Sequence, residues 1–231
     1  MIAGNALGDA IDRAYPAFAR YGFPHKLEAA PTRDGAAILR TLGSAPLREL
    51  CGEALGPYAG YAMTTVGGVG DYKHFLPRIL ELAILEPIWL GTTPRVVAEK
   101  IVYGQWRAWP DREREAVLAV FDAAWMQARN EHPEAVNALD WLEGCVTLGL
   151  DATALLEAWL PSLNADGALQ LASLVHRESQ PPDPPAKPLP ARPWLASDAV
   201  AEALRRFAGS VAPEDEWLLQ AGLKAHAALD S

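Results

Sequence analysis

The stretch 58–86, YAGYAMTTVGGVGDYKHFLPRILELAILE, decides how the rest of the chain is read. Gly67, Gly68 and Gly70 crowd together and Asp71 follows. Glycine reaches positive φ at no steric cost, so this is a loop, and a carboxylate behind it can accept the free N–H groups of a first helical turn. The pattern predicts a helix start near Tyr72 with Asp71 as N-cap. Pro77 lacks an N–H and collides with the carbonyl four residues back, at Lys73, which costs about 3 kcal/mol inside a helix. The expectation is one short turn over 72–76, then a helix over 77–85 with Pro77 at its first position. Ile79, Leu80, Leu82, Ala83, Ile84 and Leu85 cover almost the whole circumference of that helix, which makes it central and buried. Upstream, Thr64, Thr65 and Val66 are β-branched, so 61–66 reads as a short strand.

The polar residues of this stretch leave two readings open. In one, a helix N-terminus after a glycine loop, with Lys73 and His74 in its first turn, holds an anion, and Asp71, Lys73, His74 and Arg78 converge on a pocket. In the other, Lys73 and Arg78 face water and His74 hydrogen-bonds a neighbouring carbonyl. Strand, glycine loop and helix is the order of a nucleotide-binding unit, yet GGVGD matches neither G-x-G-x-x-G nor G-x-x-x-x-G-K-[ST].

The run DYKHFLPRILEL at 71–82 resembles a segment of uncharacterised bacterial proteins, in which Asp, an aromatic, a basic residue and His-Phe-Leu-Pro-Arg precede an apolar helix. The resemblance implies that Asp71, His74, Phe75, Pro77 and Arg78 define the group. It carries over no catalytic role.

Outward from this segment, composition sets the class. The chain has 231 residues, half of them hydrophobic, enough for a sizeable core. Alanine and leucine dominate and β-branched runs are scarce, a helical composition. A formal net charge of −9 argues against general nucleic-acid binding. Cys51 and Cys145 stand far apart without a C-x-x-C, so neither a disulfide framework nor a zinc site is implied. The start of the chain lacks a basic and then apolar leader, and no run approaches the ~18 apolar residues of a membrane span. A soluble, cytoplasmic bacterial protein with no membrane association is the expectation.

Helical spacing recurs along the chain. The first helix is expected over 9–21, with Pro16 shortening it. A second spans 32–42 with Asp34 as cap, and a third runs from Pro46 to the Gly56-Pro57 stop. Thr93 caps a helix that Pro94 opens, and the clearest helix covers 111–129, its DRERE start suited to a solvated face and Val117, Leu118, Val120, Phe121, Ala124, Trp125 and Ala128 to a buried stripe. Shorter helices follow over 134–148, 151–163 and 165–176, joined tightly enough to run antiparallel. The segment 179–193 carries proline at 181, 182, 184, 185, 188, 190 and 193, which predicts an extended linker. Beyond it, 198–208 and 214–229 form a helical hairpin too small for a core of its own. The expected organisation is a helical main domain over 1–178, a linker over 179–193, and a hairpin over 194–231 packed on the main domain. The fold class is all-α, an irregular multi-helix bundle or short helical solenoid with a proline-linked C-terminal hairpin.

Chemistry is sparsely marked. The five histidines show no H-x-x-x-H, G-x-S-x-G is absent, and neither cysteine sits in a nucleophile setting, so no catalytic residue, metal or cofactor is implied. Eight tryptophans are the unusual feature. Most fall on helix stripes, but Trp106, Trp109 and Trp194 do not, and with Tyr103 and Arg107 they make a candidate recognition surface. The leading functional expectation is a non-enzymatic protein-interaction module (adaptor, inhibitor or immunity-like protein) with a protein partner. The alternative is an enzyme or a small-ligand or anion-binding protein using the turn over 67–78. The sequence sets neither the partner nor the oligomeric state.

Overall fold

The computed structural model describes residues 6–180 and 189–229. The protein is all-α: its described residues hold no strand, only isolated bridges from Val66 to Ala29 and Ala62. The expected strand over 61–66 is replaced by a turn, in which the Thr64 and Thr65 N–H groups both reach back to the Tyr61 carbonyl, at 3.2 and 3.1 Å. Local bonding satisfies those donors, which leaves little for a sheet partner to pair with.

The helices are α1 (Ala6–Phe18), α2 (Gly35–Leu42), α3 (Gly52–Tyr61), α4 (Val69–Leu85), α5 (Pro87–Leu90), α6 (Pro94–Tyr103), α7 (Asp111–Ala128), α8 (Ala138–Thr147), α9 (Ala152–Trp159), α10 (Ala165–Ser179), α11 (Arg192–Leu195), α12 (Asp198–Arg206) and α13 (Glu216–Leu229). The chain forms two compact units, 1–124 and 125–231, and the division falls within α7.

In the first unit α4 is the element against which α1, α3, α5 and α6 pack. It runs unbroken through Pro77, contrary to the expected turn and restart. Phe75, Leu76, Ile79, Leu80 and Leu82 are each 0% exposed. Burying five such side chains stabilises by roughly 1.5–3 kcal/mol each, which outweighs the ~3 kcal/mol cost of an interior proline. The six consecutive positions 75–80 are all buried, so the helix is enclosed on every side there; only at its C-terminal end does this stop, where Leu85, expected in the core, is 45% exposed. Asp71 is not the N-cap. Gly68 is, and Asp71 sits one turn in, its Oδ2 accepting the Gly68 N–H at 2.7 Å. Gly67 precedes it at φ +67°, a left-handed conformation that puts the chain on course for that bond.

Other punctuation follows the sequence more closely. Asp34 accepts from the Ala37 N–H at 2.9 Å and Thr93 from Val96 at 3.4 Å. The helix expected from Pro46 differs: 3₁₀ geometry covers Leu47–Glu49 and α3 starts at Gly52, running through Gly56-Pro57 to Tyr61. Likewise α1 ends at Phe18 with Pro16 inside its last turn.

In the second unit α13 lies along α10 so closely that a Cβ on Gly222 would come within 2.6 Å of Ala172 Cα. The helix expected from 134 begins at 138, because buried Gln170 claims the preceding loop. Its Nε2 donates to the carbonyls of Glu131 and Val136, at 2.9 and 2.7 Å, and its Oε1 accepts from Ala138. Trp125 and Trp159 meet edge-on at 5.4 Å. Of the expected linker, 181–188 lies outside the described residues. Its end is not extended, since Pro193 occupies the first turn of α11, where a missing N–H costs nothing. Buried Glu178 accepts the Leu189 N–H at 2.8 Å and holds the chain there against the end of α10.

Candidate functional site

The two cations of α4, Lys73 and Arg78, are not on the surface. Lys73 sits on the stripe of Leu76 and Leu80, and its side chain is 7% exposed. An ammonium there needs a partner, and α7 supplies it: Lys73 Nζ lies 2.8 Å from Glu113 Oε2, whose side chain is 2% exposed. Tyr21 closes the cluster. Its hydroxyl accepts from Lys73 at 3.0 Å and donates to Glu113 Oε1 at 2.9 Å, while Arg20 adds a second cation at 2.8 Å from Glu113. The Trp109 ring lies under Lys73 Nζ at 4.1 Å, and its indole N–H donates to the Gly104 carbonyl at 2.9 Å. The solvated face expected of DRERE is therefore broken by Glu113, which lies in register with Val117, Phe121 and Ala124 and shares their burial.

One turn further along α4, Arg78 is buried too. Its Nε donates to the Leu50 carbonyl and its Nη1 to Glu81 Oε2, both at 2.7 Å. Burial pulls the Arg78 pKa down, and the hydrogen bond and charge of Glu81 more than offset it. Tyr15 on α1 donates to the same Glu81 oxygen, and burial together with that carboxylate pushes its phenol above the ordinary range. Two ionic clusters thus bind α1 and its following loop to α4, one through Tyr21 and one through Tyr15.

His74 lies between them. Its Nδ1 is 2.8 Å from the Tyr21 carbonyl, the contact expected from sequence. Phe23 and Phe75 meet its ring edge-on at 5.8 and 4.6 Å. Beside it a half-open hollow of about 310 Å³ is lined by Tyr15, Pro16, Ala19, Leu47 and Pro77 among others.

Asp71, Lys73, His74 and Arg78, expected to converge on a pocket, each have a different partner: the Gly68 N–H, Glu113, the Tyr21 carbonyl, and Glu81 with the Leu50 carbonyl. Of the four, only His74 lines the hollow. At the α4 N-terminus the Asp71 carboxylate accepts the Gly68 N–H. The residues of the aromatic surface expected around α6 differ in exposure. Trp106 and Trp109 are buried, Tyr103 and Arg107 are exposed, and Trp194 belongs to the second unit, where it lines an open groove with Pro161 and Arg206. Among the positions that define the resemblance, Phe75 is core, stacked edge-on against Tyr58 at 5.0 Å.

A surface that sequence reading missed lies at the α4–α5 corner. Leu85, Ile88 and Trp89 are 45, 87 and 61% exposed, while Leu90 turns inward at 1%. Their platform is rigid, since α5 lies directly on the glycine face of α3. A Cβ on Gly52 would come within 2.7 Å of Trp89 Cβ, and one on Gly56 within 2.5 Å of the Leu90 carbonyl oxygen. Glu86 fastens the corner by accepting the Gly52 N–H at 2.7 Å. The G-x-x-x-G spacing at 52–56 was the signal: two glycines one helical turn apart mark a face where another backbone comes close.

Among the described residues no group of three or more His, Cys, Asp or Glu side chains is placed to hold a metal ion, and no helix is long and apolar enough to cross a membrane. No family model matches the chain, and no curated protein or solved structure matches it significantly.

Proposed function

We propose that the protein is a non-enzymatic protein-interaction module that engages its partner through the α4–α5 corner. The observation that carries this reading is the exposure of Ile88 and Trp89, side by side on a backbone wedged against Gly52 and Gly56. Contiguous exposed apolar side chains of this size mark interaction sites, and tryptophan is enriched among the residues that dominate binding energy. Each such side chain stabilises a complex by roughly 1.5–3 kcal/mol when a partner covers it. A backbone already fixed loses little entropy on binding, so more of that energy appears as affinity. The buried ionic clusters act as scaffolding in this reading, holding α1 and α7 on α4.

The test is affinity capture from the native host with wild-type protein and with Ile88→Ser/Trp89→Ser, together with a photo-crosslinking residue placed at 88. A specific protein captured by wild type, crosslinked at 88 and lost from the double variant at unchanged helicity supports the reading. Capture that survives the double variant overturns it. The alternative, a small-ligand protein, is favoured by a different observation, the hollow at His74.

A further inference from the structure

The geometry points to a second site: we infer that the hollow between α1 and α4 binds a small neutral aromatic alcohol or phenol through His74 Nε2. Its volume, about 310 Å³, lies at the lower end of the range for ligand pockets and is about twice the ~150 Å³ of an apolar cavity that takes benzene. Apolar walls come from Pro16 and Ala19 on and after α1, Leu47 on the 3₁₀ turn, and Pro77 on α4. An aromatic ring is the body that such walls accept.

The polar atoms set the rest of the ligand. A carbonyl oxygen only accepts, so the 2.8 Å contact between His74 Nδ1 and the Tyr21 carbonyl places the imidazole proton on Nδ1. In the neutral ring Nε2 is then an acceptor, and no residue of the described chain donates to it. The two phenols beside the hollow spend their protons elsewhere, Tyr15 on Glu81 and Tyr21 on Glu113. The Tyr21 oxygen is also spent as an acceptor, on Lys73 and Arg20, so what His74 Nε2 can still offer a ligand is a lone pair, and the ligand must bring the donor. The two carboxylates behind the tyrosines are already paired, Glu81 with Arg78 and Glu113 with Lys73 and Arg20. A cation would gain no free countercharge, and a neutral O–H satisfies the site. The edge contacts of Phe23 and Phe75 fix the imidazole plane, so Nε2 is oriented before the ligand arrives.

Phenol and toluene are the probes, being of similar size with and without the donor. Isothermal titration and histidine-selective NMR on the full chain are expected to show saturable phenol binding that shifts the His74 ring resonances, with toluene weaker by about tenfold, the value of one hydrogen bond. His74→Phe keeps an aromatic ring and removes the acceptor, and it is expected to weaken phenol by about tenfold and leave toluene unchanged. Because that change also breaks the Tyr21 contact, Ala19→Leu provides a second variant. Ala19 is exposed, so the larger side chain fills the mouth of the hollow without entering the core, and binding of both probes should be lost at unchanged thermal stability. The proposal fails if phenol does not saturate, if toluene binds wild type as tightly as phenol, or if phenol binding is untouched by either variant. The corner at Ile88 and Trp89 plays no part in these measurements, so their outcome leaves the interaction reading where it stands.

Discussion

Replacing Glu113 by leucine tests the central claim about the first unit, that a lysine–glutamate pair is buried between α4 and α7. The two side chains are 7% and 2% exposed and 2.8 Å apart. In Glu113→Leu the ammonium of Lys73 keeps the Tyr21 hydroxyl and the Trp109 face but has no carboxylate. Removing one partner of a buried pair costs about 3–5 kcal/mol, because the remaining charge is stranded out of water. Lys73→Met is milder, since Glu113 retains Arg20 and Tyr21. The loss there is that of one charge-assisted hydrogen bond, about 1.5–3 kcal/mol. The double variant removes both charges and fills their space with apolar groups, so it should lie within about 1–2 kcal/mol of wild type. The resulting coupling energy, roughly 3 kcal/mol or more, is a large part of the ~5–15 kcal/mol that holds a domain together. Urea unfolding followed by circular dichroism, at low and high salt, measures all four corners of the cycle. The cost should be nearly independent of salt, because mobile ions do not screen a pair this buried. A Glu113→Leu variant within about 0.5 kcal/mol of wild type, the range of ordinary surface changes, would refute the reasoning and put Glu113 back in water.

Three further outcomes follow from other parts of the fold. Gly56→Ala would gain about 1 kcal/mol of helix propensity on a free helix, but its Cβ would come within 2.5 Å of the Leu90 carbonyl oxygen; the expected result is a net loss of about 1–3 kcal/mol in thermal denaturation and altered Trp89 fluorescence. Tyr58 has a buried hydroxyl with no hydrogen-bond partner, so Tyr58→Phe should stabilise the protein by about 1 kcal/mol in urea, and a loss of that size would mean the hydroxyl is bonded in solution. Burial raises the phenols of Tyr15, Tyr58 and Tyr72 above the ordinary value of 10.0. The folded state therefore binds more protons than the unfolded chain above that pH, and stability, full below pH 10, should fall as pH rises beyond it. Tyrosinate absorbance and loss of helicity should then rise together, and titration of these phenols in a chain that stays helical would contradict the burial.

Much of the secondary structure was legible because its signals are local. Asp34 and Thr93 cap helices that a reader can place by eye, and the stripe from Val117 to Ala128 needs only helical spacing. The same locality explains the errors. Pro77 signals a break to any local rule, and only the core packed around Phe75, Leu76 and Ile79 shows why α4 continues. The helix expected from 134 was shortened by Gln170, over thirty residues later in the chain. At the candidate site, sequence singled out Lys73, His74, Arg78 and Trp109 but not their relations. Lys73 meets Trp109 and Glu113, His74 stands apart at the hollow, and Trp106 is buried rather than displayed. Tyr15 stood out only as a member of the apolar stripe of the first helix, and Tyr21 and Glu81 carried no signal, because a tyrosine or glutamate reads the same whether solvated or paired. Glu113 did carry one, since it occupies the stripe of Val117 and Phe121, where an unpaired carboxylate would be costly.

By itself the sequence determined that the chain would form many helices and where most of their caps would fall, since backbone hydrogen bonding and side-chain periodicity act over a few residues. Only the tertiary structure decided which charges are buried together, as with Lys73 and Glu113, forty residues apart. It also decided which apolar side chains stay outside, as with Ile88 and Trp89 above the glycines of α3. Burial and pairing depend on how helices cross, and the crossing is set by contacts between positions that no local pattern connects.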